Sequence, residues 1–220
     1  MIEIVEYNKK YIFKKKQSKI RTQKGYLLEV NNKTHANLII SEILNKKKLK
    51  DPYSLINLTF FSCDLNDGDK EEIKRKIIEI LNFDLTLYRC YEEEEFKVIL
   101  EKNFKPYVTN FQEIFKTKLI LINSMLEYND VKSIDFKIFL DSLHNFELTI
   151  LFKLATLTRS VILSFNFLKK KIDYNSLYKL SNLEYTYQQK QWGLVDEQKL
   201  INRNNFLVMK NISFFLKNIN

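Results

Sequence analysis

The sequence predicts an α+β fold, with a small N-terminal β-rich region carrying a helix and a larger all-helical C-terminal domain behind it. Three observations carry this. Short runs rich in β-branched and aromatic residues fill the segment up to about Val30, and from Asn32 onward apolar residues recur at helical spacing. Only 3 glycines and 2 prolines occur in 220 residues, too few for the tight turns of a sandwich or barrel. The change from strand to helix pattern between about Asn45 and Ser54 sets the expected boundary: residues 1–50 β-rich, residues 51–220 helical. At 45% hydrophobic residues the chain can bury an ordinary core.

In order, Tyr11–Phe13, Lys19–Thr22 and Tyr26–Val30 read as strands, with Gly25 marking a turn. Asn32 is placed to cap a helix whose inner face is Ala36, Ile39, Ile40, Ile43 and Leu44. The basic run Lys46–Lys50 reads as a solvated loop, and Leu55–Leu65 is apolar without a clear period. Asp67-Gly68-Asp69 opens a helix with Ile73, Ile77, Ile80 and Leu81 inward and Glu71, Glu72, Lys74, Arg75 and Lys76 outward. After Phe83–Cys90, the acidic run Glu92–Glu95 suits the first turn of a helix reaching Leu100, which Pro106 is expected to bend or restart. Lys118–Asn123 looks β-like. The remainder predicts helices over Ile134–Phe146, Leu148–Lys171, Tyr174–Gln191 and Asp196–Leu216. Leu148–Leu168 has the length of a membrane span, but Lys153 and Arg159 each cost roughly 3 kcal/mol at a bilayer centre, so it is expected to be the central core helix.

Composition and motifs narrow the chemistry. The formal charge of +9 and pI near 9.3 suit a polyanion, yet the excess is mostly Lys beside abundant Asn and Ile. Without an Arg-rich or aromatic-interleaved patch it reads as compositional, and basic nucleic-acid binding stands as the alternative function. Cys63 and Cys90 lie far apart without a CxxC partner, which points to a reducing compartment, and with His35 and His144 they lack the paired spacings of a zinc site. None of Gly25, Gly68 and Gly193 sits near a Lys-Ser/Thr pair, so no Walker-type nucleotide loop is expected. Neither histidine has a nucleophile motif beside it, and no cofactor or metal is expected. The N-terminus has neither the basic-apolar order of a secretory signal nor the Arg/Ser richness of a transit peptide, so the expected compartment is a bacterial cytoplasm, or the mitochondrial matrix for a processed organellar form.

Two strings stand out. Asp84, Tyr88 and Arg89 read as an Asp–Arg pair with a hydrogen-bonded tyrosine locking one helix end against the next; the alternative, a catalytic acid with a phenol and an anion clamp, needs a deep pocket lined by them. In Leu183–Glu197, LEYTYQQKQWGLVDE, the residues Glu184, Gln188 and Gln191 recur at i, i+4 and i+7 and form a polar stripe that ends at Trp192, the only tryptophan. Leu177, Leu180, Leu183 and Tyr187 make a neighbouring apolar stripe, Gly193 is expected to stop the helix, and Asp196 with Glu197 is placed to cap the next one. Trp192 admits two readings, a hot-spot residue for another protein or a plug of the helix end against the core.

This second string resembles the C-terminal signature of the assembly chaperones for the catalytic head of F-type ATP synthase, the ATP-twelve-like family that holds the alpha subunit before it joins beta. The likeness extends along the chain. Ile20-Arg21-Thr22, Gly25, Ala36 and Glu42 fall at matching positions, Leu58-Thr59 and Asp64 resemble the next helix, and Asp84-Leu85-Thr86-Leu87-Tyr88-Arg89 is similar to a Thr-Asp-Leu-x-x-Tyr-Arg string. Phe104-Lys105-Pro106 stands for Trp-Asp-Pro, and Ser160–Phe165 resembles a Ser-leading apolar helix. Departures occur at the turn Lys15–Ser18, at Gln23, at Ile43 and at Phe83. The resemblance implies a non-enzymatic, ATP-independent chaperone, monomeric and not membrane-inserted, that binds the free alpha subunit and prevents its aggregation. For such a protein the docking surface is expected to include Glu184, Gln188, Gln191, Trp192, Asp196 and Glu197.

Overall fold

A computed structural model describes residues 2–193 and 196–219, with residue 196 described for its backbone only. A small antiparallel sheet precedes a largely helical remainder, the α+β class expected. The chain divides into two compact units, residues 1–70 with 144–150 and 210–220, and residues 71–143 with 151–209.

The first unit opens with β1 (Ile2–Tyr7), β2 (Lys10–Lys15), β3 (Ser18–Lys19) and β4 (Glu29–Val30). β2 is central: it pairs β1 with Val5 opposite Ile12, and also pairs β3 and β4. Asn8 and Lys9 join β1 to β2 with φ of 51° and 61°, a two-residue connection of the hand that matches strand twist. β1 is absent from the expected strands, although IEIVEY carries the signal in β-branched residues spaced by glutamates. Gly25 does mark a turn: its φ is 87°, and Thr22 and Tyr26 bond across it. Ile12 and Phe13, adjacent on β2 and so on opposite faces, are both fully buried because the strand is covered on both sides.

Helices α1 (Lys33–Ile43), α2 (Lys46–Lys50) and α3 (Leu55–Cys63) follow. Asn32 caps α1 by accepting from the His35 N–H, and Ala36 and Ile39 turn inward as expected, whereas Leu44 lies past the helix end and is 76% exposed. Lys46–Lys50 is not a loop: Asn45 accepts from Lys47 N–H and starts one solvated helical turn. The start of α3 is doubly capped, by Ser54 on Asn57 N–H and by the Glu42 carboxylate on Ile56 N–H at 2.8 Å.

The second unit begins within α4 (Asp67–Asn82), where Ile73, Ile77 and Leu81 are buried and Ile80 is half-buried. A 3-10 turn at Leu85–Leu87 leads to α5 (Glu94–Phe115). Pro106 does not interrupt α5, since Phe96, Leu100, Phe104, Val108, Phe111 and Phe115 form one buried stripe across it and packing outweighs the one lost backbone bond. Helix α5 ends at Lys116, whose φ is 44°. Lys118–Asn123 is extended but forms a single parallel bridge, Ile122 with Tyr88, rather than a strand.

Beyond it come α6 (Ile134–Ser142), α7 (Asn145–Thr158), α8 (Val161–Leu168), α9 (Tyr174–Ser181), α10 (Leu183–Trp192) and α11 (Asp196–Asn218). His144 lies between α6 and α7 rather than within a helix, and its Nδ1 accepts from Glu147 N–H. Two expected helices are broken. Leu148–Lys171 divides at Arg159, and Tyr174–Gln191 divides at Asn182. All eight residues of α8 are buried, and Phe165 meets Phe111, Phe115 and Phe139 at ring-centroid distances of 5.6, 5.0 and 5.3 Å. Among the described residues no helix is long and apolar enough to cross a membrane.

Candidate protein-docking surface

Helix α10 takes its direction from Asn182. That side chain donates to Tyr178 O at 2.8 Å, its backbone N–H bonds Leu180 O and Lys179 O, and its carbonyl accepts from the N–H and hydroxyl of Thr186. One residue therefore closes α9 and opens α10, and the change of axis shares out the apolar stripe. Leu177 and Leu180 are buried in α9, while Leu183 and Tyr187 are half-buried in α10. Tyr187 stacks on Phe96 of α5 with centroids 4.5 Å apart, which holds the inner face of α10.

The polar stripe lies beside this anchor. Glu184 is half-buried and accepts from Gln188 Nε2 at 3.3 Å and from the Tyr91 hydroxyl. Burial first, and then that carboxylate, push the Tyr91 phenol well above its ordinary range, so Tyr91 stays a donor to Glu184 at any physiological pH. Gln191 is exposed, and Trp192 is 74% exposed. The plug reading of Trp192 is thereby excluded. Gly193 ends the helix as expected, its N–H bonding Gln189 O at 3.0 Å. Its φ of 83° and ψ of 177° lie outside the left-handed helical conformation, in a region essentially restricted to glycine. Tyr185, Gln188, Gln189 and Trp192 from α10, with Glu197, Gln198 and Ile201 from α11, line a groove of about 280 Å³. The side chain of Asp196, and with it the expected cap, lies outside the described residues.

The Asp84–Arg89 string is a set of structural locks whose pairing differs from expectation. Asp84 is fully buried, and five donors reach its carboxylate: Ser160 Oγ at 2.7 Å, Val161 N–H at 2.7 Å, Ile162 N–H at 3.1 Å, and the N–H and hydroxyl of Thr86 at 3.0 and 2.8 Å. It caps α8 from outside, placing negative charge where the first N–H groups of the helix are exposed. Burial pushes its carboxyl up from the usual range, and the donors oppose that. Arg89 pairs with Glu101 at 3.1 Å instead of with Asp84 and also donates to the carbonyls of Thr86 and Tyr88. Tyr88 contributes its backbone to the bridge with Ile122, and its side chain lines a surface cavity. The charged ends of Asp84 and Arg89 are occupied by protein groups, which leaves the catalytic alternative without its acid and its clamp.

Sequence reasoning passed over an apolar surface within the same unit. Phe83, 49% exposed, stacks on Tyr128, 56% exposed, at 5.8 Å. Ser124 builds a turn, its carbonyl accepting from Glu127 N–H and its hydroxyl from Leu126 N–H, and the turn presents Met125 and Leu126 at 87% and 91% exposure. Asn129 pins the base through both backbone groups of Ile120. The available signal was the apolar pair inside NSMLEYND, a segment of turn-forming residues where nothing local would bury it.

Elsewhere, burial pushes the Cys63 thiol up to about 11, which keeps it a protonated thiol. Among the described residues no group of three His, Cys, Asp or Glu side chains could hold a metal ion.

The fold that carries this lock and this surface is one already seen in solved structures from bacteria. Atp12 from Paracoccus denitrificans matches it with a TM-score of 0.84 at 18% identity, covering 98% of this chain and 94% of that one, and a mutant of the same protein matches equally. Atu1473 from Agrobacterium tumefaciens, described as a candidate chaperone, matches with a TM-score of 0.83 at 17% identity over 100% of this chain and 84% of its own. At these identities the shared property is the fold, in agreement with the resemblance read in the sequence strings. No family model and no curated protein matches the chain.

Proposed function

We propose that this protein is a non-enzymatic, ATP-independent assembly chaperone that binds the free alpha subunit of the F-type ATP synthase head and keeps it from aggregating until beta arrives. The observation that carries the reading is the state of Trp192: in a chain with the fold of Atp12 over 98% of its length, the tryptophan of the family-like string is 74% exposed beside the groove between α10 and α11. An exposed aromatic flanked by Gln188, Gln191 and Glu197 supplies what protein docking needs, a large rigid contact with amides and a carboxylate able to satisfy a client's backbone groups. Asp196 belongs to the same proposed surface by its place in the sequence.

Such a protein covers the apolar surface that alpha later buries against beta, and beta displaces it by offering the larger interface. Differential affinity is sufficient to drive this exchange, so neither nucleotide nor cofactor is needed. The protein works as a monomer in the compartment where alpha is made, the cytoplasm of a bacterium.

Two variants test the surface. Trp192→Ala is expected to weaken capture of purified alpha about tenfold while changing folding stability by no more than about 0.5 kcal/mol, since the side chain packs on little. Glu184→Lys, which places a cation on the polar stripe, is expected to weaken capture as well. Undiminished capture by both would remove this surface from the client interface.

A further inference from the structure

We propose that Arg159 is the centre of a second docking site on the same unit, one that takes an acidic side chain of the client with a large apolar side chain beside it. The inference rests on the chaperone reading above and names the client chemistry at a surface that reading does not use.

Arg159 stands at the break between α7 and α8 with a φ of 55°, the left-handed region that side chains longer than Asn rarely adopt. Its neighbours Thr158 and Ser160 are 2% and 0% exposed, and its carbonyl accepts from Leu85 N–H at 2.9 Å. The backbone there is fixed and strained, while the side chain is exposed. Glycine or asparagine would meet the backbone requirement at lower cost.

Its surroundings point to a use. Two cavities, of about 600 and 420 Å³, share only Arg159 and Phe83 among their lining residues. Ile80, Phe152 and Ala155 line the larger, and Met125 overhangs the smaller. The other charges at these cavities are already engaged: Lys76 with Glu72 at 2.6 Å, Glu79 with Arg75, and Glu184 with Tyr91 and Gln188. Arg159 forms no ion pair among the described residues. A guanidinium without an ion pair, set between an apolar depression and a mixed one that Glu184 also lines, complements a client carboxylate with a large apolar side chain on the side of the larger cavity, held by a forked pair of hydrogen bonds.

Arg159→Gly separates the roles, because it removes the guanidinium and also relieves the backbone. Binding of immobilised alpha subunit is expected to weaken about tenfold, with a melting temperature equal to or above that of the wild type, and Arg159→Lys should recover part of the binding. If Arg159→Gly binds alpha as the wild type does, the site is overturned and the chaperone reading stands. If the wild type itself does not bind alpha, both fall. Sodium oleate provides the control for a lipid carboxylate: oleate binding that depends on Arg159, together with alpha binding that does not, would assign the site to an amphiphile and overturn the peptide occupant.

Discussion

His35 shows what a single buried side chain contributes. It is fully buried, its Nε2 lies 2.9 Å from Thr59 Oγ1, and the edges of Phe146 and Phe215 approach it with ring centroids at 6.0 and 5.7 Å. The Thr59 hydroxyl already donates to Leu55 O, so it accepts from Nε2–H, which leaves Nδ1 as a buried lone pair without a partner. Protonating Nδ1 there would place a charge among aromatic rings, and burial accordingly lowers the His35 pKa from 6.5 to about 4. The sign follows directly. Above pH 6.5 the histidine is neutral folded or unfolded and the fold keeps its full stability; as pH falls from 6.5 toward 4, only the unfolded chain takes up the proton, and stability drops by about 3 kcal/mol from this group alone. Urea denaturation across that range is expected to show His35→Gln losing less stability than the wild type by about that amount. Parallel pH profiles for the two proteins would mean that His35 is solvated.

Elements were legible where a residue's own neighbours decide its place, and illegible where a distant one does. The cap at Asn32, the stripe of α4 and the stop at Gly193 follow from local patterns, and all are present. The break between α7 and α8 does not follow from its own segment, because Leu148–Lys171 is apolar almost throughout. Asp84, 76 residues before Ser160, imposes it by taking the first N–H groups of α8. The polar triplet Thr158-Arg159-Ser160 was the one local sign of a cap. Pro106 shows the converse, a strong local signal overridden by a stripe of buried phenylalanines along α5. Its ring is exposed, so Pro106→Ala removes no packing and restores a donor to the carbonyl one turn earlier. The variant is expected to gain about 1–3 kcal/mol in chemical denaturation, and a loss of stability would mean that α5 depends on the proline for its course. The candidate site divides in the same way: the polar stripe and Trp192 were readable as a periodicity, whereas the place of Arg159 at the meeting of two cavities emerges only once the chain is folded.

At the scale of the whole molecule, the charge of +9 is the feature that most suggests a different function. Several of the basic side chains are paired locally, Lys70, Lys74, Lys76 and Lys97 each with a carboxylate three or four residues away on the same helix, although such pairs leave the net excess unchanged. Such pairs solubilise a helix surface and add a few tenths of a kcal/mol each, which fits a wet face better than a polyanion footprint. The apolar and aromatic side chains left exposed are less easily explained by solubility, and they are what a holder of unassembled subunits requires. The most direct measurement is co-expression of this chain with the ATP synthase alpha subunit alone, followed by gel filtration with and without added beta. Alpha remaining soluble in a complex with this chain, and leaving it when beta is added, is the predicted result. Alpha precipitating whether or not this chain is present, with the chain eluting alone or bound to nucleic acid, would contradict the account.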